Sequence, residues 1–268
     1  MPDPLTSAGT RGRPGLVTVT FRQLAPEEIV AVAKSCGLQV LEWGGDVHVP
    51  AGDTKRARDV AALTRAAGLE TVCYGSYYRA GHEGEGGKPR FADVLETAVS
   101  LGAPCIRVWA GNRGSEVADE AYFRHVCADA ERIAGLADAR GIRIAFEFHS
   151  GTLHDNAEAA GRLLGALPHP NIFSLWQPLV LLDAQQRERS LRAVLPRLAH
   201  VHVFHWVPGD PADRRSLCEG EDDWHSWLET IRAAGIKADA LLEFVKGDAP
   251  EALAADASVL RRLTGFAS

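Results

Sequence analysis

The sequence of 268 residues has no apolar run long enough to cross a membrane and no excess of positive charge. A membrane-spanning helix needs about 18 or more consecutive apolar residues. The formal net charge of −6 and the pI of about 5.9 give no general attraction to phosphate backbones or anionic lipid. We therefore expect a small-molecule partner rather than nucleic acid or a membrane.

Cysteine is scarce, and its spacing forms no motif. The five cysteines (Cys36, Cys73, Cys105, Cys127 and Cys218) are odd in number and include no Cys-x-x-Cys pair. Most lie inside apolar runs, as small buried residues do. We interpret them as reduced thiols of a cytoplasmic protein.

Length and composition fit a single domain. With 46% hydrophobic and 24% charged residues, the chain can bury one substantial core, and its length is close to the roughly 250 residues of a (β/α)8 barrel. Residues 1–15 are rich in Pro, Gly, Ser and Arg and lack the apolar segment of a secretory signal. We predict a disordered leader over residues 1–15 and one domain over residues 16–268. The sequence carries no signal for the oligomeric state.

A recurring junction indicates a repeated unit. At Gly37, Gly68, Gly102, Gly141 and Gly235 a helical pattern ends in glycine, and an apolar residue then opens a short β-rich run. Glycine accepts the left-handed conformation that closes a helix, so each junction predicts a helix end, a turn and a strand. Successive glycines are 31, 34, 39 and 94 residues apart, and the last gap corresponds to about three further units.

Eight apolar runs within this frame predict eight strands. They cover residues 16–21, 40–43, 71–74, 105–109, 142–148, 172–176, 200–204 and 240–244. Amphipathic segments lie between them, as at residues 26–36, 55–67, 122–140 and 224–234. This alternation predicts a parallel sheet, closed as a (β/α)8 TIM barrel, with a doubly wound open sheet as the alternative. No Gly-rich phosphate motif follows the first strand, which argues against a dinucleotide-binding fold.

Acidic and histidine side chains lie on three of the last four predicted strands, and the carboxyl ends of the strands carry the active site in such barrels. Period-two alternation allows Glu147, His202 and Glu243 to face the barrel interior together. A carboxylate within an apolar strand is costly unless it is paired, protonated or bound to a cation. Two carboxylates and an imidazole suit Mg2+, Mn2+, Co2+ or Zn2+. The alternative is that each glutamate forms a buried salt bridge and His202 is a hydrogen-bonded core histidine.

Five further residues at or near strand ends are candidates for substrate binding: Glu42, His48, Arg107, His149 and His205. Arg107 could bind a substrate carboxylate or phosphate with two hydrogen bonds, or it could neutralise Glu147. Four tryptophans near strand ends could line a pocket or pack in the core: Trp43, Trp109, Trp176 and Trp206.

Over nearly its whole length the sequence resembles the xylose-isomerase-like superfamily of sugar and sugar-phosphate isomerases and epimerases. The resemblance rests, in order, on Leu41-Glu42-Trp43-Gly44-Gly45-Asp46, Arg107-Val108-Trp109-Ala110-Gly111, Glu147 with His149, His200-Val201-His202, Glu219-Gly220-Glu221-Asp222-Asp223-Trp224 and Glu243. In that family a strand-five Glu, a strand-six Asp, the second strand-seven His and a strand-eight Glu hold one divalent metal, and the two Glu act as acid and base. The resemblance implies these roles for Glu147, His202 and Glu243.

The chain departs from the family pattern at strand six, where Gln177 replaces the expected Asp. A Gln carbonyl can coordinate a hard cation but brings no charge, so two carboxylates rather than three would balance the ion. We expect Gln177 to be a neutral fourth ligand and the affinity for metal to be lower than in the family. Asp183, six residues later, is expected to cap a helix rather than bind metal.

The resemblance predicts metal-assisted isomerisation or epimerisation of a small sugar or polyol-type hydroxy-carbonyl compound through an enediolate, with Glu147 and Glu243 as the acid and base. A lyase resembling dehydroshikimate dehydratases would use the same proton abstraction to start loss of water. A barrel that binds sugar without turnover is a further alternative, which the departure at Gln177 favours. Too few His and Asp ligands and the acidic balance argue against an abasic-site endonuclease.

Overall fold

Eight parallel strands, each followed by a helix, close into a barrel in the computed structural model, which describes residues 11–207, 209–210 and 212–266. In chain order the barrel strands are β1 (Pro14–Val17), β2 (Val40–Gly44), β3 (Glu70–Arg79), β4 (Cys105–Trp109), β5 (Arg143–Glu147), β6 (Ile172–Trp176), β7 (Leu198–Val203) and β10 (Asp239–Leu242). The intervening β8 (His205–Trp206) and β9 (Arg214–Arg215) form a short antiparallel hairpin. The helices are α1 (Pro26–Ser35), α2 (Thr54–Ala66), α3 (Phe91–Leu101), α4 (Glu120–Asp138), α5 (Ala157–Ala166), α6 (Ala184–Val194), α7 (Glu221–Ala233) and α8 (Leu253–Thr264).

The first and last strands of the barrel pair with each other. Leu16 of β1 lies opposite Leu242 of β10 on one side and opposite Leu41 of β2 on the other. This closure confirms the (β/α)8 barrel predicted from the sequence and excludes the open sheet. No helix among the described residues has the length and apolar character needed to span a membrane.

The strand bounds differ from the prediction at the amino-terminal end. β1 starts at Pro14, inside the leader predicted for residues 1–15, and residues 1–10 lie outside the described part of the chain. The Arg13 side chain pairs with Asp239 at 2.8 Å and with Glu70 at 2.6 Å. β1 then ends at Val17, whose carbonyl accepts a hydrogen bond from Thr20 Oγ1, and residues 18–21 form a 3-10 helix instead of more strand.

The helix ends follow the chemistry expected from the sequence. All five junction glycines have φ between 67° and 78°, the left-handed region in which a side chain is strained. Asp183 caps α6, because its side chain accepts a hydrogen bond from the main-chain N–H of Gln186. In return, the side-chain oxygen of Gln186 accepts a hydrogen bond from the main-chain N–H of Asp183.

Alternation along the strands divides the buried side chains between two regions. Outward-facing residues pack against the helices: Trp43 Nε1 donates to Thr64 Oγ1 of α2 at 3.2 Å, and Trp176 Nε1 donates to Ser190 Oγ of α6 at 2.9 Å. Inward-facing residues form a separate small apolar cluster from Cys73, Cys105, Ala145 and Leu175. The next inward positions on β4 and β5 carry Arg107 and Glu147, so charged groups lie between this cluster and the carboxyl ends of the strands.

Candidate active site

A cavity of about 420 Å³ lies at the carboxyl ends of the barrel strands. Arg107 of β4 and Glu147 of β5 line it, together with Gln177 and Glu243, which directly follow β6 and β10. All four occupy inward-facing positions of their strands, so the barrel geometry alone brings them to one place.

Glu147, His202 and Glu243 converge at this end of the barrel. One ligand-capable atom of each side chain lies within 4.8 Å of those of the other two, and all three residues are buried. Two carboxylate oxygens and one imidazole nitrogen at this separation form a donor set for one divalent cation. The structure therefore brings together three of the four residues that the sequence suggested as metal ligands.

Glu42 of β2 determines which nitrogen of His202 faces this group. Glu42 Oε2 lies 3.0 Å from His202 Nε2 and 3.0 Å from His200 Nε2, contacts that assign the Nε2 hydrogens of both imidazoles to Glu42. His202 Nδ1 lies 3.2 Å from Glu243 Oε2 and finds no hydrogen-bond partner of acceptable geometry in the described part of the chain. A metal-binding histidine characteristically has one nitrogen held by a carboxylate and the other turned to the cation. The donor set thus fits a divalent metal.

The protonation of His202 depends on the same neighbours. Burial opposes its protonation, but the negative charges of Glu243 and Glu42 outweigh burial and raise the pKa of His202 to about 10. A cation at Nδ1 would take the place of that proton, so binding of metal here should release a proton.

The charges around the site balance with a divalent ion. Three buried carboxylates (Glu42, Glu147 and Glu243) face one guanidinium, Arg107, which leaves a charge of −2 when His202 is neutral. Buried charge without compensation is costly. An ion of charge +2 neutralises this group without a carboxylate at position 177.

Glu147 is the more constrained of the two candidate acid–base residues. Its Oε2 accepts hydrogen bonds from Arg107 Nη1 and, at 2.6 Å, from Trp109 Nε1, while its Oε1 accepts one from Gln177 Nε2 at 3.0 Å. Burial opposes ionisation of this carboxyl, but the charge of Arg107 outweighs it, and the pKa of Glu147 lies below its usual value. Glu147 is therefore held as a carboxylate in a fixed orientation.

Gln177 lines the cavity, and its amide nitrogen is already hydrogen-bonded within the protein. Nε2 donates to Glu147 Oε1 and, at 3.1 Å, to the main-chain oxygen of Phe148. Two acceptors around the nitrogen fix the orientation of the amide and leave the carbonyl oxygen for a cation or a substrate.

Arg107 is enclosed by the carboxylates that it neutralises. Its Nε lies 3.1 Å from Glu42 Oε1, its Nη1 pairs with Glu147, and the residue is 3% exposed. Burial opposes its charge, but Glu147 and Glu42 raise its pKa well above the usual value. Gly75 makes room for this arrangement, since a Cβ there would lie 2.7 Å from Glu42 Oε1 and 2.9 Å from Arg107 Nη2. Of the two contacts suggested for Arg107, the structure shows the one with Glu147.

His149 is the other suggested substrate-binding residue that lines the cavity. Its Nδ1 donates to the Ser150 carbonyl at 2.7 Å, which leaves Nε2 for a ligand. Glu42, His48 and His205 are not among the residues that line the cavity.

Each of these three side chains has a partner elsewhere. Glu42 is fully buried among His200, His202 and Arg107. His48 turns toward the first 3-10 helix, with Nδ1 3.0 Å from Thr18 Oγ1. His205 packs on Gly220, where a Cβ would lie 2.3 Å from its Nδ1.

Most of the remaining cavity wall is apolar, and the sequence suggested only part of it. Trp109 and Trp206, two of the four tryptophans considered, line the cavity. The other apolar lining residues were not suggested by the sequence: Val19, Tyr77, Leu179, Val180, Leu181, Phe204 and Phe244. Side chains alternate between the inward and outward faces of a strand, and this alternation predicts that Trp109 faces inward like Arg107 and that Phe204 faces inward like His202. The residues in loops carry no such signal.

The xylose isomerase-like TIM barrel family model matches residues 30–263. Among solved structures, the chain is similar to the probable 3-DHS dehydratase AsbF of Bacillus anthracis (TM-score 0.76, 19% identity, 92% of this chain and 98% of that one). It is also similar to a xylose isomerase-like TIM barrel protein of Mycobacterium smegmatis in complex with magnesium (TM-score 0.73, 14% identity, 98% of this chain and 99% of that one). A third similar structure is D-psicose 3-epimerase of Clostridium cellulolyticum H10 with D-tagatose (TM-score 0.66, 14% identity, 96% of this chain and 100% of that one). Among curated proteins, none matches significantly. The chain belongs to the xylose isomerase-like TIM barrel family.

Proposed function

We propose that this protein is a metal-dependent isomerase or epimerase that moves a proton at the carbon beside the carbonyl of a small hydroxy-carbonyl substrate. The observation that carries the proposal is the convergence of Glu147, His202 and Glu243 at the floor of a cavity of substrate size. The magnesium complex and the epimerase among the similar structures support the same assignment.

The residues of the site would have separate roles in this reaction. A divalent ion held by Glu147, His202 and Glu243 would act as a Lewis acid on the substrate oxygens. Among the described residues, the Glu243 carboxylate has one close polar contact, with His202. This carboxylate would remove the proton to give the enediolate. Glu147, held as a carboxylate by its three N–H donors, would take up the hydroxyl proton of the enediolate and pass it to the neighbouring oxygen, while Glu243 returns its own proton to the neighbouring carbon.

The unequal surroundings of the two glutamates favour a second candidate, a lyase. A carboxylate whose pKa is lowered by Arg107 and which accepts three hydrogen bonds is a weak proton carrier. Loss of water after a single proton abstraction needs only one base, and the Glu243 carboxylate would supply it. The dehydratase among the similar structures is consistent with this chemistry.

Exchange of a substrate C–H proton with solvent deuterium, followed by NMR with Mn2+ or Mg2+ present, tests the proposal. Glu147→Gln and Glu243→Gln keep the side-chain shape but cannot carry a proton, and each should lower the exchange rate by roughly 10²–10⁴-fold. Glu96→Gln, on an exposed side chain that pairs with Arg140, is the control and should leave the rate unchanged.

Metal content has to be measured in the same samples, because each substitution also removes a ligand charge. Loss of exchange in Glu243→Gln alone, with metal retained, would replace the isomerase by the lyase. Full exchange in both metal-loaded variants would place proton transfer elsewhere and refute both candidates.

A further inference from the structure

Two aromatic walls face each other across the cavity. On one side, Tyr77 of β3 packs edge to face on Trp109 of β4, with ring centroids 5.3 Å apart. On the other, Phe204 stacks on Trp206 at 4.2 Å, and Phe244 lies 5.8 Å from Trp206. In the strand order of the barrel, β3 lies opposite β7 and β4 lies opposite β10, so the two walls stand on opposite sides of the cavity.

An aliphatic segment after β6 closes a third side. Leu179, Val180 and Leu181 line the cavity, and Leu181 is 70% exposed. An exposed leucine on the rim of an aromatic cavity is a surface that an apolar ligand group can cover.

Polar groups able to bind substrate hydroxyls are few beyond the reacting end. Tyr77 Oη already donates to Asp46 Oδ2 at 2.9 Å and accepts from Arg22 Nη2 at 2.9 Å. Arg107 pairs with Glu42 through Nε and with Glu147 through Nη1. Outside Glu147, His202 and Glu243, three exposed or partly exposed cavity-lining atoms lack a hydrogen bond among the described residues: His149 Nε2, Ser150 Oγ and Gln177 Oε1. Arg107 Nη2 and Trp206 Nε1 also lack one, but both atoms are buried behind the cavity surface.

A polyhydroxylated chain would therefore place several hydroxyl groups against apolar walls. Each buried hydroxyl left without a partner weakens binding by roughly ten- to a hundredfold. A flat ring, in contrast, gains contact area on both walls and needs no further polar partner.

We infer that the substrate joins a small hydroxy-carbonyl end to a flat, largely apolar group about the size of one aromatic ring. The inference rests on the proposed function for the reacting end, and on the cavity walls for the remainder of the molecule. The hydroxy-carbonyl oxygens lie toward Glu147 and Glu243, and the ring lies between the aromatic walls against Leu181.

Calorimetric titration with three ligands that share one hydroxy-ketone end tests this assignment. The ligands are hydroxyacetone, 2-hydroxyacetophenone and D-xylulose, each titrated with and without Mg2+. The phenyl ketone should bind at least about tenfold more tightly than hydroxyacetone, and D-xylulose should bind no more tightly than hydroxyacetone. The preference for the phenyl group should persist without metal, because the walls supply it.

Two cavity variants and one matched control locate the effect. Trp206→Ala should remove most of the preference for the phenyl ketone, and Leu181→Ser should lower it by about threefold, since each removes apolar contact area. Leu181 is exposed, so its substitution should not affect folding. Leu136→Ser changes a leucine of α4 that is 44% exposed and lies outside the cavity, and it should leave the preference unchanged.

The inference is overturned if D-xylulose binds more tightly than the phenyl ketone, or if binding of the phenyl ketone is undetectable. It is also overturned if both cavity variants keep the full preference for the phenyl ketone over hydroxyacetone. Deuterium exchange recorded on the same samples separates the two proposals. A phenyl preference without proton exchange supports the inference and removes the proposed function. Proton exchange with a preference for D-xylulose does the reverse.

Discussion

Replacing Arg107 by methionine should remove a large part of the stability of this protein, because two buried carboxylates lose their counter-charge. Arg107 is 3% exposed, Glu42 0% and Glu147 2%, and the guanidinium contacts both carboxylates. Removing one partner of a buried ion pair costs roughly 3–5 kcal/mol, out of a total free energy of unfolding of about 5–15 kcal/mol. Since Arg107 serves two carboxylates, we expect a loss of about 5 kcal/mol.

Urea unfolding of the metal-free protein, followed by circular dichroism, measures this loss. Arg140→Met is the control, because Arg140 pairs with Glu96 at 2.6 Å where the two side chains are 39% and 55% exposed, and such pairs contribute about 1 kcal/mol or less. If Arg107→Met does not fold, the double variant with Glu147→Gln should recover part of the stability, because one uncompensated charge is gone. Equal losses at Arg107 and Arg140 would refute the claim that Arg107 neutralises buried charge.

Three further substitutions probe the site and its surroundings. Gln177→Asp should raise the affinity for Mn2+ by about tenfold or more in calorimetric titration, because a third negative charge joins the ligands. An unchanged affinity would show that the side chain at position 177 does not contact the ion. Glu42→Gln should lower that affinity by roughly 10–100-fold, since His202 loses the carboxylate that orients it, and an unchanged affinity would contradict this role. Burial lowers the pKa of His154 to about 3, so below about pH 6.5 the unfolded chain binds a proton that the folded chain does not, and the free energy of unfolding decreases as the pH is lowered. Between pH 7 and pH 5, His154→Gln should therefore lose about 2 kcal/mol less stability than the wild type. Equal losses in the two proteins would show that His154 is protonated in the folded state.

The barrel was predictable because its signals are local. Each glycine that closes a helix marks the next strand, and the bounds predicted for β4 and β6 agree with the structure residue for residue. The deviations arise where distant contacts decide the conformation. β3 continues to Arg79 because that residue pairs with Trp109 of β4, a contact that no local pattern reveals.

The convergence of Glu147, His202 and Glu243 was also predictable, since period-two parity and the cost of buried charge together point inward. The position of Glu42 was not. Parity shows that it faces inward, but its depth in the barrel depends on strand tilt and stagger. Its contacts with His200 and His202 span about 160 residues of sequence, which explains why it was expected near the substrate instead of behind His202.

Anomalous diffraction from crystals grown with MnCl2 tests most directly the claim that Glu147, His202 and Glu243 hold one divalent ion. We predict an anomalous peak among these side chains, with contacts of roughly 2.0–2.4 Å to both carboxylates and to His202 Nδ1. An intact barrel saturated with Mn2+ whose map has no peak at this position, or has its peak at another site, would contradict the account.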